Sequence, residues 1–313
     1  MKNNRPPVFC LMGPTASGKT SIAVELVQQA PFEIISVDSA QVYRGLNIGS
    51  GKPSADVLAK APHRLIDIRD PGDAYSAADF RHDVLNEIAD IQSNGNTPLL
   101  VGGTMLYFKA LRDGLAAMPA ANEKVRHKIL DLANKEGWQA VHNRLAEVDP
   151  ESAARIHPND PQRLQRALEV YELTGKSMTT LHKEGNSKQD LPFDLHFIAT
   201  FPSQRAELHK KISMRFKQML EQGFVKEVKE LYDRGDLNPS LPAIRAVGYR
   251  QIWDFLEGTY NHDVMQEKAL AATRQLAKRQ LTWLRSWPDL QILDNEMSKN
   301  VEHCLKIMVS TPK

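Results

Sequence analysis

Residues 13–20 read Gly13, Pro14, Thr15, Ala16, Ser17, Gly18, Lys19 and Thr20, which matches the spacing GxxxxGK[ST]. Glycines at the two ends let the backbone fold tightly, so that several N–H groups converge on one anion. The helical pattern that opens at Lys19 adds the positive end of a helix dipole. Lys19 supplies a cation for the outer phosphates, and Thr20 supplies a hydroxyl for Mg²⁺. An apolar strand-like run, residues 8–12, leads into the loop. This strand–loop–helix context separates a phosphate cradle from a chance glycine turn. ATP, GTP and an organic diphosphate present the same oxygen-rich group, so the loop alone leaves its ligand open.

Two further stretches carry polar groups at the ends of apolar runs. Asp38 follows "EIISV", where an open α/β sheet places its ligands and where a carboxylate can take a proton from an attacking group. An aspartate before serine also caps its own turn, and position alone does not choose between the two roles. Gly102 and Gly103 follow "TPLLV" and permit close backbone approach, and Thr104 then offers a hydroxyl or caps a helix. This run ends without the aspartate that holds Mg²⁺ in motor and switch NTPases, which favours a one-step transferase.

The elements that must position these groups alternate. Runs at "VFCLM", "EIISVD", "HRLIDI" and "TPLLVGG" read as strands, with helical patterns at residues 19–29 and 76–92. Ser76, with Asp79 three residues on, fits a helix start. The expectation is an α/β core with a parallel sheet over residues 1–114. No strand pattern appears between residues 115 and about 190, so this block reads as an all-helical insertion. "LHFIATF" returns to the sheet, and residues 191–313 finish the core as helices and a short tail.

The chain has 313 residues, 42% of them apolar and 25% charged, which supports a buried core. A net charge of +2 gives no global basic field, so any nucleic-acid surface must be local. Two distant cysteines, Cys10 and Cys304, exclude a Cys-based zinc site and fit a reducing compartment. No apolar stretch is long enough to span a bilayer. Residues 268–288 hold Lys268, Arg274, Lys278, Arg279 and Arg285 with no Asp or Glu, a basic strip suited to RNA phosphates. Trp283 and Trp287 lie beside it and are expected in the core.

Six stretches, "GPTASGKT", "DSAQVYRGLNIGSGKP", "VGGTMLY", "QRLQRALEVYELTGKS", "IRAVGYRQ" and "TRQLAKRQLTWLR", together resemble the tRNA isopentenyltransferases, or tRNA dimethylallyltransferases. They span residues 13–285 in that family's order. The resemblance implies a P-loop NTPase-like fold and transfer of a dimethylallyl group from dimethylallyl diphosphate to a tRNA. The acceptor is N6 of the adenosine next to the anticodon on its 3′ side, in tRNAs that read codons beginning with U. Diphosphate leaves and Mg²⁺ is required. Lys19 and Arg215 then bind the diphosphate, and Asp38 accepts the N6 proton. Asp38, Ser39, Ala40, Gln41, Thr104 and Arg126 meet the anticodon stem-loop. So do Gln162, Arg163, Leu164, Gln165 and Arg166, and the stretch Ala243, Ile244, Arg245, Ala246, Val247 and Gly248. Arg274, Lys278 and Arg279 join them from the basic strip. A solvated helix face is the competing reading of Arg215. No Cys/His array matches the zinc finger of eukaryotic relatives, so a bacterial, cytoplasmic form is expected; the expected state is a monomer. A small-molecule kinase accounts for the loop and Asp38 but not for the basic strip. A non-catalytic RNA binder does not account for the intact Lys19–Thr20 pair.

Overall fold

The computed structural model describes residues 5–185, 190–202, 204–293 and 297–310. Six parallel strands form one sheet: β1 (Pro7–Met12), β2 (Phe32–Val37), β3 (His63–Arg64), β4 (Thr97–Gly102), β5 (Asp194–Thr200) and β6 (Leu290–Leu293). Their order is β3-β2-β4-β1-β5-β6. Side chains alternate across a strand, so β1 feeds two cores at once. Val8, Cys10 and Met12 enter one apolar cluster, while Phe9 and Leu11 enter the other. Burial on both faces explains why β1, β2 and β4 are near-continuous apolar runs rather than alternating ones.

Helices α1 (Lys19–Gln29), α2 (Ala55–Lys60), α3 (Ala77–Ser93) and α4 (Met105–Asp113) belong to the first half of the chain. α1 buries Ile22, Ala23 and Leu26 in one cluster, and α3 buries Phe80, Val84, Ile88 and Ile91 in the other. Ser76 and Asp79 close the expected capping box at the start of α3. The next four helices are α5 (Glu123–Val148), α6 (Pro150–Arg155), α7 (Pro161–Thr174) and α8 (Met178–Glu184). They make a compact unit over residues 113–190 with its own core of Ile129, Val141, Leu145, Leu164 and Leu168. α5 contains a break, because Gly137 has φ 83° and no helical residue can continue through it. Residues 1–112 and 191–313 form the other unit, which holds the sheet. It is completed by α9 (Arg205–Glu221), α10 (Phe224–Tyr232), α11 (Tyr249–Leu256), α12 (His262–Arg285) and α13 (Met297–Ser310).

Two expectations about elements change. "HRLIDI" yields only the two-residue β3, since Leu65 and Asp67 take positive φ (60° and 56°) and turn the chain away from the sheet. The expected tail instead contains β6, paired with β5, and α13, whose Cys304 and Val301 are buried against the α1 side. Among the described residues no helix is long and apolar enough to cross a membrane.

Candidate active site

β1 ends at Met12, and the glycine loop begins there, between the carboxyl ends of β4 and β5. Gly13 has to be glycine: an added Cβ would lie 2.3 Å from Thr200 Oγ1 and 2.8 Å from Ser17 Oγ. Thr200, the last residue of β5, donates to Ser17 Oγ at 2.7 Å and so pins the middle of the loop. Ala16 and Gly18 take left-handed φ of 61° and 84°. A non-glycine residue held in that region stores strain, and such strain collects at ligand-binding loops. Gly18 caps α1 with no side-chain acceptor, so the first turn presents its N–H groups to a ligand. Thr20 is exposed on that turn.

Lys19 Nζ donates to Pro14 O at 2.7 Å and lies 3.5 Å from Ser17 Oγ. Burial pulls its pKa down from the ordinary lysine value to about 7. The Asp38 carboxylate raises it against that trend, and the Arg215 guanidinium lowers it further. Burial likewise lowers the pKa of Arg215, with Asp38 acting in the opposite sense. The three charges therefore sense one another, yet no ion pair joins Asp38 to either cation among the described residues.

Asp38 sits one residue past β2. Its Oδ1 accepts from Ala40 N at 2.8 Å and from Gln41 N at 3.2 Å, so the turn-capping role is real and occupies one oxygen. Oδ2 accepts from no described residue. Thr104 does not use its hydroxyl as a helix cap. Its Oγ1 accepts from Ser39 N at 3.1 Å and tethers the β4 end to the Asp38 turn. Gln41 continues the mesh, accepting from Ser36 Oγ at 2.9 Å and donating to Gly51 O at 3.2 Å.

Arg215, on α9, is not on a solvated face. Its guanidinium lies against Gly51, where a Cβ would fall 1.6 Å from Nη2. Gly51 in turn has φ 64°, a second reason for glycine there. The loop that carries Gly51 is anchored by a residue the sequence did not single out. Buried Glu227 accepts from the N–H groups of Asn47 (3.1 Å), Ile48 (2.7 Å) and Gly49 (3.1 Å), and from the Tyr249 hydroxyl (2.6 Å). Burial, with Glu227 beside it, holds the Tyr249 pKa well above the ordinary value. Gln280 of α12 is a second missed residue: it accepts from Thr15 N and donates to Gly103 O, both at 2.9 Å. Neither had a local signal, because each acts on a segment nearly two hundred residues away or more.

The remaining expected residues divide by exposure. In the helical unit, Arg126 and Arg166 converge on one fully buried carboxylate, Glu169, at 2.8 and 2.7 Å. Gln165 donates to Arg126 O at 3.2 Å, and Arg163 is exposed beside Asp160. Gln162 is exposed, but Leu164 is fully buried and packs into that unit's core, so its side chain cannot touch RNA. Ala243 and Ile244 are likewise buried in the sheet unit's core, which leaves only their main chain for any RNA contact. Gly248 is also covered, its φ of 94° opening α11 against Phe224. Arg245 is exposed, with Ala246 and Val247 half-buried next to it. On α12, Arg274, Lys278 and Arg279 are exposed as expected. Trp287 is buried at 7% exposure, but Trp283 is 38% exposed, so the expectation of a core position fails for it.

A family profile described as IPP transferase matches residues 41–287. A tRNA dimethylallyltransferase from Thioalkalivibrio sulfidiphilus (strain HL-EbGR7) is 60% identical over 291 residues, covering 93% of this chain and 91% of that one. The crystal structure of the full-length tRNA isopentenylpyrophosphate transferase from Bacillus halodurans is 35% identical with a TM-score of 0.71. The match covers 98% of this chain and 96% of that one. A structure of a eukaryotic dimethylallyltransferase acting on tRNA is 27% identical, with a TM-score of 0.80 over 98% of this chain and 80% of its own. With the profile covering most of the sequence and a relative of this identity over nearly all of it, the chain belongs to the IPP transferase family.

Proposed function

We propose that this protein transfers the dimethylallyl group of dimethylallyl diphosphate to N6 of an adenosine in tRNA and releases diphosphate. The adenosine is the one 3′-adjacent to the anticodon, in tRNAs reading codons that begin with U. The observation that supports the reading is a set of unpaired charges around the glycine loop. Lys19, at the α1 N-terminus, and Arg215 supply the cations, and Asp38 lies within electrostatic range of both with no direct salt bridge to either among the described residues.

An exocyclic adenine amine is a weak nucleophile, so most of the catalysis must come from the leaving side. As the allylic C–O bond stretches, negative charge grows on the diphosphate, where preorganised N–H groups and two cations stabilise it. The amine loses a proton as its C–N bond forms, and Asp38 Oδ2 is the acceptor we assign to it. Thr104 and Ser39 position that turn against the acceptor base. The base must leave its stack to reach the site, and an unpaired loop nucleotide gives it up at low cost. The helical unit, through Arg126, Arg163 and Arg166, and the α12 strip, through Arg274, Lys278 and Arg279, take the anticodon stem-loop in this reading.

The donor set fits Mg²⁺ held mainly by substrate. Exposed Thr20 offers one hydroxyl, and no group of three His, Cys, Asp or Glu capable of holding a metal occurs among the described residues. An ion bound by diphosphate oxygens, water and Thr20 needs no more protein ligands than that. When bound it would neutralise charge on the departing group.

The deciding experiment incubates the protein with labelled dimethylallyl diphosphate and undermodified tRNA, with and without Mg²⁺. Label on the adenosine beside the anticodon is expected. Phosphoryl transfer from ATP without prenyl transfer would replace this reading with a kinase.

A further inference from the structure

Gln280 is 8% exposed on α12, and both ends of its amide are in use. Oε1 accepts from Thr15 N in the glycine loop, and Nε2 donates to Gly103 O at the end of β4, each at 2.9 Å. No other uncharged side chain presents a donor and an acceptor side by side in this way except asparagine, which is one methylene shorter. Gly103 is shaped to receive it: a Cβ there would lie 2.4 Å from Nε2. The next residue, Thr104, is tied through Ser39 N to the turn that holds Asp38. A continuous path thus runs from the phosphate loop through Gln280, Gly103, Thr104 and Ser39 to Asp38.

We infer that Gln280 is a positioning residue for the transfer: a strut that fixes the spacing between the diphosphate cradle and the acceptor edge of the site. The inference rests on the proposed function, in which the two ends of the strut serve two different substrates. A displacement of this kind requires the attacking nitrogen, the allylic carbon and the leaving oxygen to be aligned at near-contact distance. Each substrate is anchored to its own segment, so each can bind normally while the two are misaligned. The strut takes up Thr15 N–H, which leaves the donors from Ala16 to Thr20 to the phosphates. A carboxylate in its place would still accept from Thr15 but would face the Gly103 carbonyl with no proton to offer, and would bring negative charge toward the diphosphate.

The test uses the full-length protein, dimethylallyl diphosphate and an anticodon stem-loop RNA, with Gln280→Ala, Gln280→Glu and Gly103→Ala. Single-turnover rates are measured with both substrates saturating, and the dissociation constant of each substrate is measured alone. Misplacement by about 1 Å costs up to about 100-fold, so a rate loss of about tenfold or more is expected, with each dissociation constant moving by less than about threefold. Gly103→Ala, which displaces the same amide by its methyl group, should show the same split. Combined with Gln280→Ala it should add little, because both remove one interaction. A residue that only supports the fold would lower the melting temperature and the active fraction while leaving the single-turnover rate of folded enzyme unchanged. That outcome, or fully additive losses in the double variant, overturns the inference. A rise in the dissociation constant for dimethylallyl diphosphate that accounts for the whole loss also overturns it, reducing Gln280 to part of the cradle. If the wild-type protein transfers no dimethylallyl group, the proposed function falls and this inference with it; an active wild type with unaffected variants removes the inference alone.

Discussion

Raising the pH from 7 to 8 should weaken binding of dimethylallyl diphosphate by about five- to sixfold, through Lys19 alone. The free enzyme holds Lys19 at a pKa of about 7, because burial and Arg215 together outweigh Asp38. Only the ammonium form pairs with the anion, and the anion, once bound, keeps it protonated. Binding therefore takes up a proton, so affinity is full only well below pH 7 and falls as the pH rises through it. About half of the lysines are charged at pH 7 and about one in eleven at pH 8, and the slope then approaches tenfold per unit. A phosphate ester completes its own last ionisation near pH 6, below this window, so the ligand adds little to the trend. Calorimetry in two buffers of different ionisation enthalpy counts the protons directly: about half at pH 7 and nearly one at pH 8. Lys19→Arg stays charged throughout, and whatever affinity it retains should be flat over the same range. No proton uptake at pH 8, or an equal slope in Lys19→Arg, would refute the argument. The same shift acts on folding with its own sign. The unfolded chain keeps this proton to about pH 10.4, so between about 7 and 10 it binds more protons than the native state, and the contribution of Lys19 to stability rises with pH.

Asp38→Asn should lower the single-turnover rate by about 10²- to 10⁴-fold while RNA affinity stays within about threefold, read by quench flow and filter binding; parallel loss of both would remove the base assignment. Glu227→Ala leaves the N–H groups of Asn47, Ile48 and Gly49 without their acceptor. At about 1 kcal/mol or more each, denaturant melts should show a loss of about 3 kcal/mol, with Glu227→Gln milder; an unchanged midpoint would mean the loop finds other partners. Arg279→Ala should weaken RNA binding and reduce the slope of log affinity against log salt by about one, and an unchanged slope would take Arg279 out of the phosphate contacts.

The glycine loop and the Asp38 turn were legible because each is set by residues adjacent in sequence, whereas the tether from Thr104 to Ser39 spans 65 residues and was not. A glycine loop between a strand and a helix, or a turn aspartate at a strand end, needs no distant partner to be recognised. Arg215 was harder, since a charged position on a helix reads as solvated until Gly51 is seen beneath it. Glu227 gave no sign at all, and Gln280 lay unremarked inside the stretch "TRQLAKRQLTWLR". Each is a single polar residue on an amphipathic helix, and its meaning lies in a segment 178–180 or 265 residues away. Leu164, Ala243 and Ile244 show the opposite case, buried side chains inside stretches expected at the RNA. A motif taken whole includes the apolar residues that seat it, and the spacing of Leu164, Ala167 and Leu168 already marked them as the inner face of α7. β6 escaped notice because it is four residues long at a sheet edge, with Gln291 and Ile292 exposed, so neither alternation nor a buried run announces it.

What the structure holds apart is as informative as what it joins. Asp38 and Lys19 carry opposite charges within range of each other, and left to themselves they would pair. Pairing would return Lys19 to an ordinary lysine pKa and would spend the one carboxylate the acceptor side has. The backbone prevents it. Lys19 is folded onto the carbonyl of Pro14, and Asp38 is locked by the N–H groups of Ala40 and Gln41, so each charge is satisfied on its own side of the gap. In the proposed transfer, charge moves toward groups that already oppose it: the proton toward Asp38, the electron pair toward Lys19 and Arg215. A phosphoryl-transfer site would use its cations on a group that stays between nucleophile and leaving oxygen. In the proposed transfer both cations act on the group that departs, where the negative charge grows.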